Sequence, residues 1–524
     1  MFLFFKNTKF YLLSSATFLL TCMSSYAQDL KSQRPVIFSK PIELDWRSYA
    51  WPSINYNRTA VDGGGAIYSL QNDTNLKFKV NIVLPGGVFA LPQEDRPAFG
   101  ALVDLFILGG SGNYSFDEID NYTSENGINI RTNILANGQL MLSADALTQD
   151  FPKVLELLRN ILLKPRFDAN SLPLWKQRTI DGFKNLIDFN TFDKQFRLID
   201  QQANSVLFGK NHYFAKALER SSPAVIEKIS LQKIKELYKL TINKNGLNAF
   251  ISGNFSNNDF EKLKKLISDL PHLSPQIRTW LPQKDIEADN ITKIRTVLIT
   301  KSDMSQSNIS LRYYFPKIGK LNSFESTQFD ILEEIFSSSG GIVGNDRFTK
   351  ALRADSGISY SPHAYFNETT LYPNTNFGMF HLTFQSPNER LAEAVNLATS
   401  TWNNFIQNGI TQEELDNTRT ALINRMLASE ITVYNKSDEV MNQILKGNLP
   451  SVNPIEFNLA KLDKQKDVQE LNKLLKRLKK ESVYPVLVIM GNPSSDEIKE
   501  LKNISDVDLI STNDLNTIIK PYLK

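Results

Sequence analysis

Two side chains in the second half of this sequence are spaced so that they could act together. Arg353 sits at the predicted end of a helix, Gly357 permits the chain to reverse, and Tyr360 falls in the strand-like Ile358-Ser-Tyr-Ser361. Guanidinium and phenol can then converge on one cleft, the first gripping a peptide carbonyl and the second donating to a developing oxyanion. The residues by themselves favour a plainer reading, in which Arg353 pairs with a carboxylate such as Asp355 and Tyr360 packs in its lobe.

Other chemistries lack their residues. The four histidines, His212, His272, His363 and His381, include no pair at i, i+4, so no helix offers two imidazoles to a metal. His363 and His381 read as strand or surface residues. Cys22 is the single cysteine, and no Ser/His/Asp order or paired-carboxylate motif appears. Gly63-Gly64-Gly65 is not followed by Lys-Ser/Thr and reads as a turn, not a phosphate loop.

These side chains need elements to position them, and the N-terminus sets where the elements begin. Lys6 and Lys9, the apolar run Tyr11 to Leu20, and small residues ending at Ala27 have the pattern of a signal peptide over residues 1–27. That predicts a periplasmic or secreted chain starting near Gln28. A membrane anchor is the plainer alternative, but the run is shorter than the roughly 20 residues of a span. Cys22 admits a lipid anchor, against which the bulk of Thr21 argues. Cleavage would remove the only thiol, leaving no disulfide. About 500 mature residues of a chain that is 41% hydrophobic suffice for two cores, and no later stretch is apolar enough to span a membrane. A net charge of +3, from 59 basic and 56 acidic residues without a basic block, gives no electrostatic case for nucleic acid.

The remaining chain echoes itself. Leu76–Leu84 is strand-like, runs into Pro85, and leads to a helical stretch closing at Gly109-Gly110; Asn308–Phe315 runs into Pro316 and a helix closing at Gly340-Gly341. Both the proline and the glycine pair recur at an offset of 231 residues. Leu247 to Gly253-Asn254, leading into Asp259, is matched by Val486 to Gly491-Asn492, leading into Asp496, with the Gly-Asn pair offset by 238. The predicted fold is α+β, with two homologous lobes facing each other as a clamshell, each a mostly antiparallel sheet with helices packed on it. Residues 28–75 are read as an N-terminal extension, 76–270 as the first lobe, the proline-punctuated 271–295 as a linker, and 296–524 as the second lobe.

The stretch Asn345-Asp-Arg347-Phe-Thr-Lys-Ala-Leu352-Arg353-Ala-Asp-Ser-Gly357-Ile-Ser-Tyr360-Ser361 resembles the C-terminal signature of the insulinase/pitrilysin metallopeptidases, Leu-Arg-x-x-x-Gly-(Leu/Ile)-x-Tyr-Ser. Gly378–Phe384 resembles that family's glycine-led strand, and Gly409-Ile-Thr411-Gln-Glu-Glu-Leu415 its capped final helix. The resemblance covers roughly residues 70–515. In active members His-x-x-Glu-His on the first helix and a later glutamate hold zinc, the motif's glutamate taking the proton from bound water. Counting back from Gly109 puts that motif at Gly100-Ala-Leu-Val103-Asp104, so the histidines have become Gly100 and Asp104 and the base Val103. Around the distant ligand, Thr179-Ile-Asp181-Gly182 has one carboxylate. Asp104 is read as a solvated or helix-capping residue.

The resemblance therefore implies a chain with no cofactor of its own, whose Arg353 and Tyr360 face the zinc of a homologous partner subunit across a chamber and help hold an extended peptide. Ser337–Gly344 resembles the glycine-rich loop of the non-catalytic subunit of mitochondrial processing peptidase, although a helix-ending turn explains it as well. The alternatives are a binding or scaffold protein that keeps the fold and, with least support, an autonomous peptidase using another site.

Overall fold

The computed structural model describes residues 45–48, 56–72, 74–88, 91–135, 138–210, 214–272, 294–315, 323–338, 346–368, 378–428, 433–445, 454–480, 484–504 and 507–522. Two six-stranded sheets carry the fold. The first has the order β1 (Asn57–Val61), β2 (Gly65–Gln71), β6 (Asn248–Gly253), β3 (Lys77–Val83), β5 (Leu140–Leu147), β4 (Asn129–Ile134). The second has the order β12 (Val507–Asp514), β7 (Ile294–Thr300), β11 (Tyr484–Gly491), β8 (Gln306–Phe315), β10 (Gly378–Pro387), β9 (His363–Glu368). Five strands of each sheet stand in the same relative order, the structural counterpart of the 231- and 238-residue offsets. The sixth departs from the symmetry: β1 precedes β2 and pairs antiparallel with it, whereas β12 comes from the C-terminal end and runs parallel to β7.

The first sheet opens upstream of the boundary expected at residue 76. Asp62-Gly63-Gly64 closes a β1–β2 hairpin in which Gly63 and Gly64 have φ of +89° and +82°. A Cβ on Gly65 would meet the Leu247 carbonyl oxygen at 2.1 Å, so the first residue of β2 is fixed by a close approach. The second sheet opens at Ile294, inside the expected linker. Trp46, farther upstream, is buried in the second lobe's core, and Arg47 pairs with Asp463. The expected signal peptide and residues 273–293 lie outside the described residues.

Helices cover both sheets. The first half supplies α1 (Arg96–Leu108), α2 (Phe116–Glu125), α3 (Phe151–Leu163), α4 (Ser171–Leu186), α5 (Phe192–Phe208), α6 (Leu231–Thr241) and α7 (Asn257–Ser268). The second supplies α8 (Ser323–Phe336), α9 (Leu391–Asn408), α10 (Gln412–Ala428), α11 (Val433–Leu445), α12 (Pro454–Lys464), α13 (Val468–Lys480) and α14 (Ser495–Asn503). Ser115/Glu118 and Ser256/Asp259 form reciprocal caps at the starts of α2 and α7. Thr411 and Glu414 do the same for α10, as their spacing predicted. That helix is not the last, since α11 to α14 follow.

Both faces of the central strands of each sheet are buried, and the two faces go to different helices. On β7 and β11, Leu298, Leu487 and Ile489 point into the second lobe's own core, while Val297, Ile299, Val486, Val488 and Met490 pack with Leu198, Ile199 and Ala203 of α5, a first-half helix. On β2 and β6, Ile67, Ala249 and Ile251 join the first core, while Ala66, Tyr68, Leu70 and Phe250 pack with Val440, Met441 and Ile444 of α11, a second-half helix. The lobes thus exchange one helix each. The turn that directs α5 across is tight: Phe189, fully buried, has a φ of +47°, and its carbonyl accepts from Gln195 Nε2 at 2.8 Å. A bulky residue in that region is strained by roughly 1–3 kcal/mol.

Each exchanged helix brings an aspartate to a cation on the sheet it covers. Asp438 of α11 meets Lys79 Nζ of β3 at 2.7 and 2.8 Å, and Asp200 of α5 pairs with Arg312 of β8. The aspartates are 238 residues apart, the same offset as the Gly-Asn pairs. Asp438→Ala leaves the Lys79 ammonium, a side chain only 10% exposed, without its carboxylate. It is expected to lower the urea midpoint by an amount equivalent to about 1–3 kcal/mol. Asp200→Ala should have an effect at least as large, because Arg312, a side chain 4% exposed, keeps its bond to the Ser310 hydroxyl but loses its carboxylate. An unchanged midpoint in the Asp438 variant would show that the ion pair is incidental to the exchange.

Candidate functional site

Arg353 and Tyr360 come together. Asp346 caps a single α turn by accepting from Thr349 N at 2.7 Å, and residues Lys350–Asp355 continue as a wider π turn. Such turns store strain and recur where a side chain must be re-aimed. Gly357 (φ +64°) reverses the chain, with its amide donating to the Arg353 carbonyl at 3.1 Å and the Ser359 amide to that of Leu352 at 2.9 Å. Residues 358–361 are accordingly not a strand, as their sequence had suggested, because their backbone is engaged in closing the helix; β9 begins at His363. Ile358 is buried, Tyr360 is 79% exposed, and the Arg353 guanidinium carbon lies 4.4 Å from the centre of the Tyr360 ring. Asp355, the partner that a plainer reading offered to Arg353, pairs with Lys350 instead.

The elements beneath hold this turn in place. Arg390, at the start of α9, donates to the Ser356 carbonyl at 3.2 Å while its other nitrogens grip Glu393. Ser359 Oγ accepts from the Gln385 amide of β10 at 3.2 Å. Arg347 is bidentate to Glu414 at 2.7 and 2.8 Å and reaches the Gly409 carbonyl at 2.9 Å, tying the turn to α10.

The α1 positions do not fit zinc. Gly100 has no donor, and Val103 is 5% exposed, packed in the first core with its carbonyl accepting from Thr132 Oγ1 at 2.9 Å. Asp104 lies in mid-helix and caps nothing, but it is exposed, as the solvated reading expected; its carboxylate accepts the Trp175 indole N–H of α4 at 2.7 Å. Asp181, on α4, is exposed and accepts from Gln177 at 2.8 Å. Among the described residues no group of three His, Cys, Asp or Glu side chains stands together as a metal site.

His363 and His381 lie on β9 and β10, and His212 lies outside the described residues. His381 is buried, its Nε2 2.7 Å from Ser310 Oγ and its Nδ1 2.6 Å from the Tyr365 hydroxyl. Burial, reinforced by Arg312, holds its pKa well below the usual histidine value. Ser310 in turn accepts from Arg312 Nε at 3.0 Å, so a polar chain runs from Asp200 through Arg312, Ser310 and His381 to Tyr365 under α5. The sequence reading missed this chain; the 238-residue spacing of Asp200 and Asp438 was the available signal.

Residues 228–422 match the family described as the peptidase M16 inactive domain. No curated protein matches the chain. Among solved structures, a peptidase M16 inactive domain from Pseudomonas fluorescens is similar over 84% of this chain and 98% of its own, at 17% identity and a TM-score of 0.66. A protease from Helicobacter pylori is similar over 83% and 99%, at 12% identity and a TM-score of 0.67. The periplasmic protease PqqL from Escherichia coli is matched over 87% of this chain but 46% of its own, at 14% identity and a TM-score of 0.62, so this chain spans about half of that protein. At these identities the likeness is one of fold.

Asp104 is exposed as a residue, yet the part of its carboxylate held against Trp175 is desolvated, which raises its pKa above the ordinary aspartate value of 3.8, with the Trp175 N–H opposing. The folded state then keeps a proton that the unfolded state has lost, so this group's contribution to stability falls as pH rises past 3.8. Asp104→Asn, which retains an oxygen for Trp175, is expected to melt at a higher temperature than the parent at pH 7 and at the same temperature below about pH 3.5. A lower melting temperature at pH 7 would show that the Asp104 charge supports the fold.

Proposed function

We propose that this chain, which belongs to the peptidase M16 (insulinase) family, is a non-catalytic partner subunit that helps a zinc-bearing homologue bind and orient an extended peptide. The Arg353–Tyr360 stack carries this reading. A guanidinium over an exposed ring is worth only about 0.5–1 kcal/mol to folding, yet the π turn, Gly357, Arg390 and Ser359 all fix its position. A phenol and a guanidinium side by side at a surface are suited to a carbonyl that becomes an oxyanion. The α1 positions Gly100, Val103 and Asp104 cannot furnish two imidazoles and a base, so the metal would belong to the partner. β4, an exposed edge strand beside α1, could receive the peptide by strand addition. Secretion, as the first 27 residues suggest, would put the complex in the periplasm. The other reading, a scaffold that keeps the fold without a part in proteolysis, has no feature that favours it over the first.

The purified chain is expected to contain far less than one equivalent of zinc; stoichiometric, tightly held zinc in elemental analysis would overturn the assignment of the metal to a partner. In the complex with the zinc-bearing homologue, Tyr360→Phe should lower kcat roughly 100-fold with little change in KM, since the lost hydroxyl bonds most strongly to the transition state. Arg353→Ala should raise KM as well as lower kcat, because a guanidinium on a carbonyl acts before and during attack. Neither should reduce the yield of complex. Unchanged turnover in both variants, with complexes intact, would leave the scaffold reading.

A further inference from the structure

The duplication makes β4 and β9 equivalent outer edges of their sheets, yet their unpaired amides are treated differently. On β9 the outward amides are, by alternation, those of Ala364, Phe366 and the terminal Glu368, and the first two are capped. Ser337 Oγ accepts from the first at 2.8 Å and the Glu333 carboxylate from the second at 2.6 Å. Glu333 and Ser337 are one helical turn apart, on α8 and at its end, and the Ser337 amide is itself held by the Glu333 carbonyl at 2.7 Å. The Phe329 ring of α8 stacks on Phe366, with centroids 3.8 Å apart and planes at 8°, keeping the helix over the strand.

On β4 the Leu135 amide donates inward to the Gln139 carbonyl at 2.8 Å, so by alternation Ile130, Thr132 and Ile134 turn their amides outward. No side chain among the described residues caps them. The 231-residue offset puts the counterparts of Glu333 and Ser337 at Leu102 and Phe106, which are apolar and fully buried. The first lobe therefore has a helix in the equivalent place without the acceptors.

We propose that Glu333 and Ser337 are strand caps that deny β9 to an extended polypeptide, leaving β4 as the one edge of the pair that a peptide strand can join. A carboxylate and a hydroxyl on consecutive outward amides remove two of the three donors that strand addition would use, and the aromatic stack blocks the approach. Of two edges made equivalent by duplication, only one then takes substrate, which prevents the chain from holding a peptide in two registers or pairing edge to edge with a second copy. The inference rests on the reading of this chain as a peptide-binding subunit, but it can be tested on the isolated chain.

The test uses Glu333→Ala/Ser337→Ala, with Glu333→Gln/Ser337→Thr as the variant that keeps both acceptors. The probe is a labelled, photo-cross-linkable peptide copying β10, Gly378–Pro387, the natural neighbour of β9. Amide exchange at Ala364 and Phe366 should be at least tenfold faster in the alanine variant than in the parent or in the Gln/Thr variant. The probe should cross-link to β9 only when the caps are gone. If the double variant does not fold, Ser337→Ala, which frees the Ala364 amide alone, gives the same readout at one position. Cross-linking to β9 in the parent chain, or none there after uncapping, would overturn the proposal. A probe that gains β9 on uncapping yet never marks β4 would support the caps and count against strand addition in the proposed function.

Discussion

The structure depends on one constraint: the central strands of each sheet are buried on both faces and need two helix layers, and each lobe supplies only one of them to itself. The missing layer comes from the other half of the chain. Leu198, Ile199 and Ala203 of α5 close the outer face of β7 and β11, and Val440, Met441 and Ile444 of α11 close that of β2 and β6. A sheet buried on both sides must read as a continuous apolar run, which is why β2 and β11 lack the alternation of a half-exposed strand. Neither lobe could keep its sheet dry alone, so the two are one cooperative body, not two domains on a hinge.

The exchange also decides where charge can be tolerated. Lys79 and Arg312 lie on the faces that the exchanged helices cover, where an isolated cation would be strongly disfavoured. Asp438 and Asp200 arrive with those helices at equivalent positions. The ion pairs do more for register than for net stability, since a buried pair gains little over apolar packing while a broken one is costly. A helix displaced by one turn would leave an unpaired charge in each interface.

Within this frame, duplication is where function diverges. The first helix after the equivalent strands β3 and β8 appears in both lobes, as α1 and α8. In α1 the positions that the resemblance aligns with the zinc motif, Gly100 and Asp104 for its histidines and Val103 for its base, lack that motif's donors, and the Asp104 carboxylate accepts from Trp175. In α8 the positions equivalent to the buried Leu102 and Phe106 of α1 carry Glu333 and Ser337, spent on the amides of β9. The turn that follows α8 in the second lobe carries the π turn and Gly357, which leave Arg353 and Tyr360 together at the surface.

The duplication, the α+β class, the Gly-Asn strand ends and the α10 cap were legible in the sequence because each is local: a short run of residues, a glycine with positive φ, or an acid three residues after a threonine determines it. The pairing of Arg353 with Tyr360 was anticipated for the same reason, as seven residues and one glycine bring them round. The β1–β2 hairpin is signalled by Asp62-Gly63, within the residues that the sequence reads as an extension. Only the tertiary structure decided the helix exchange, because Lys79 and Asp438 are 359 residues apart and Arg312 and Asp200 are 112 apart. Nothing in an amphipathic helix says which of two similar apolar faces it will cover. The sealing of β9 was equally hidden, since a glutamate and a serine on a helix read as solvated residues until the fold brings two unpaired amides within reach.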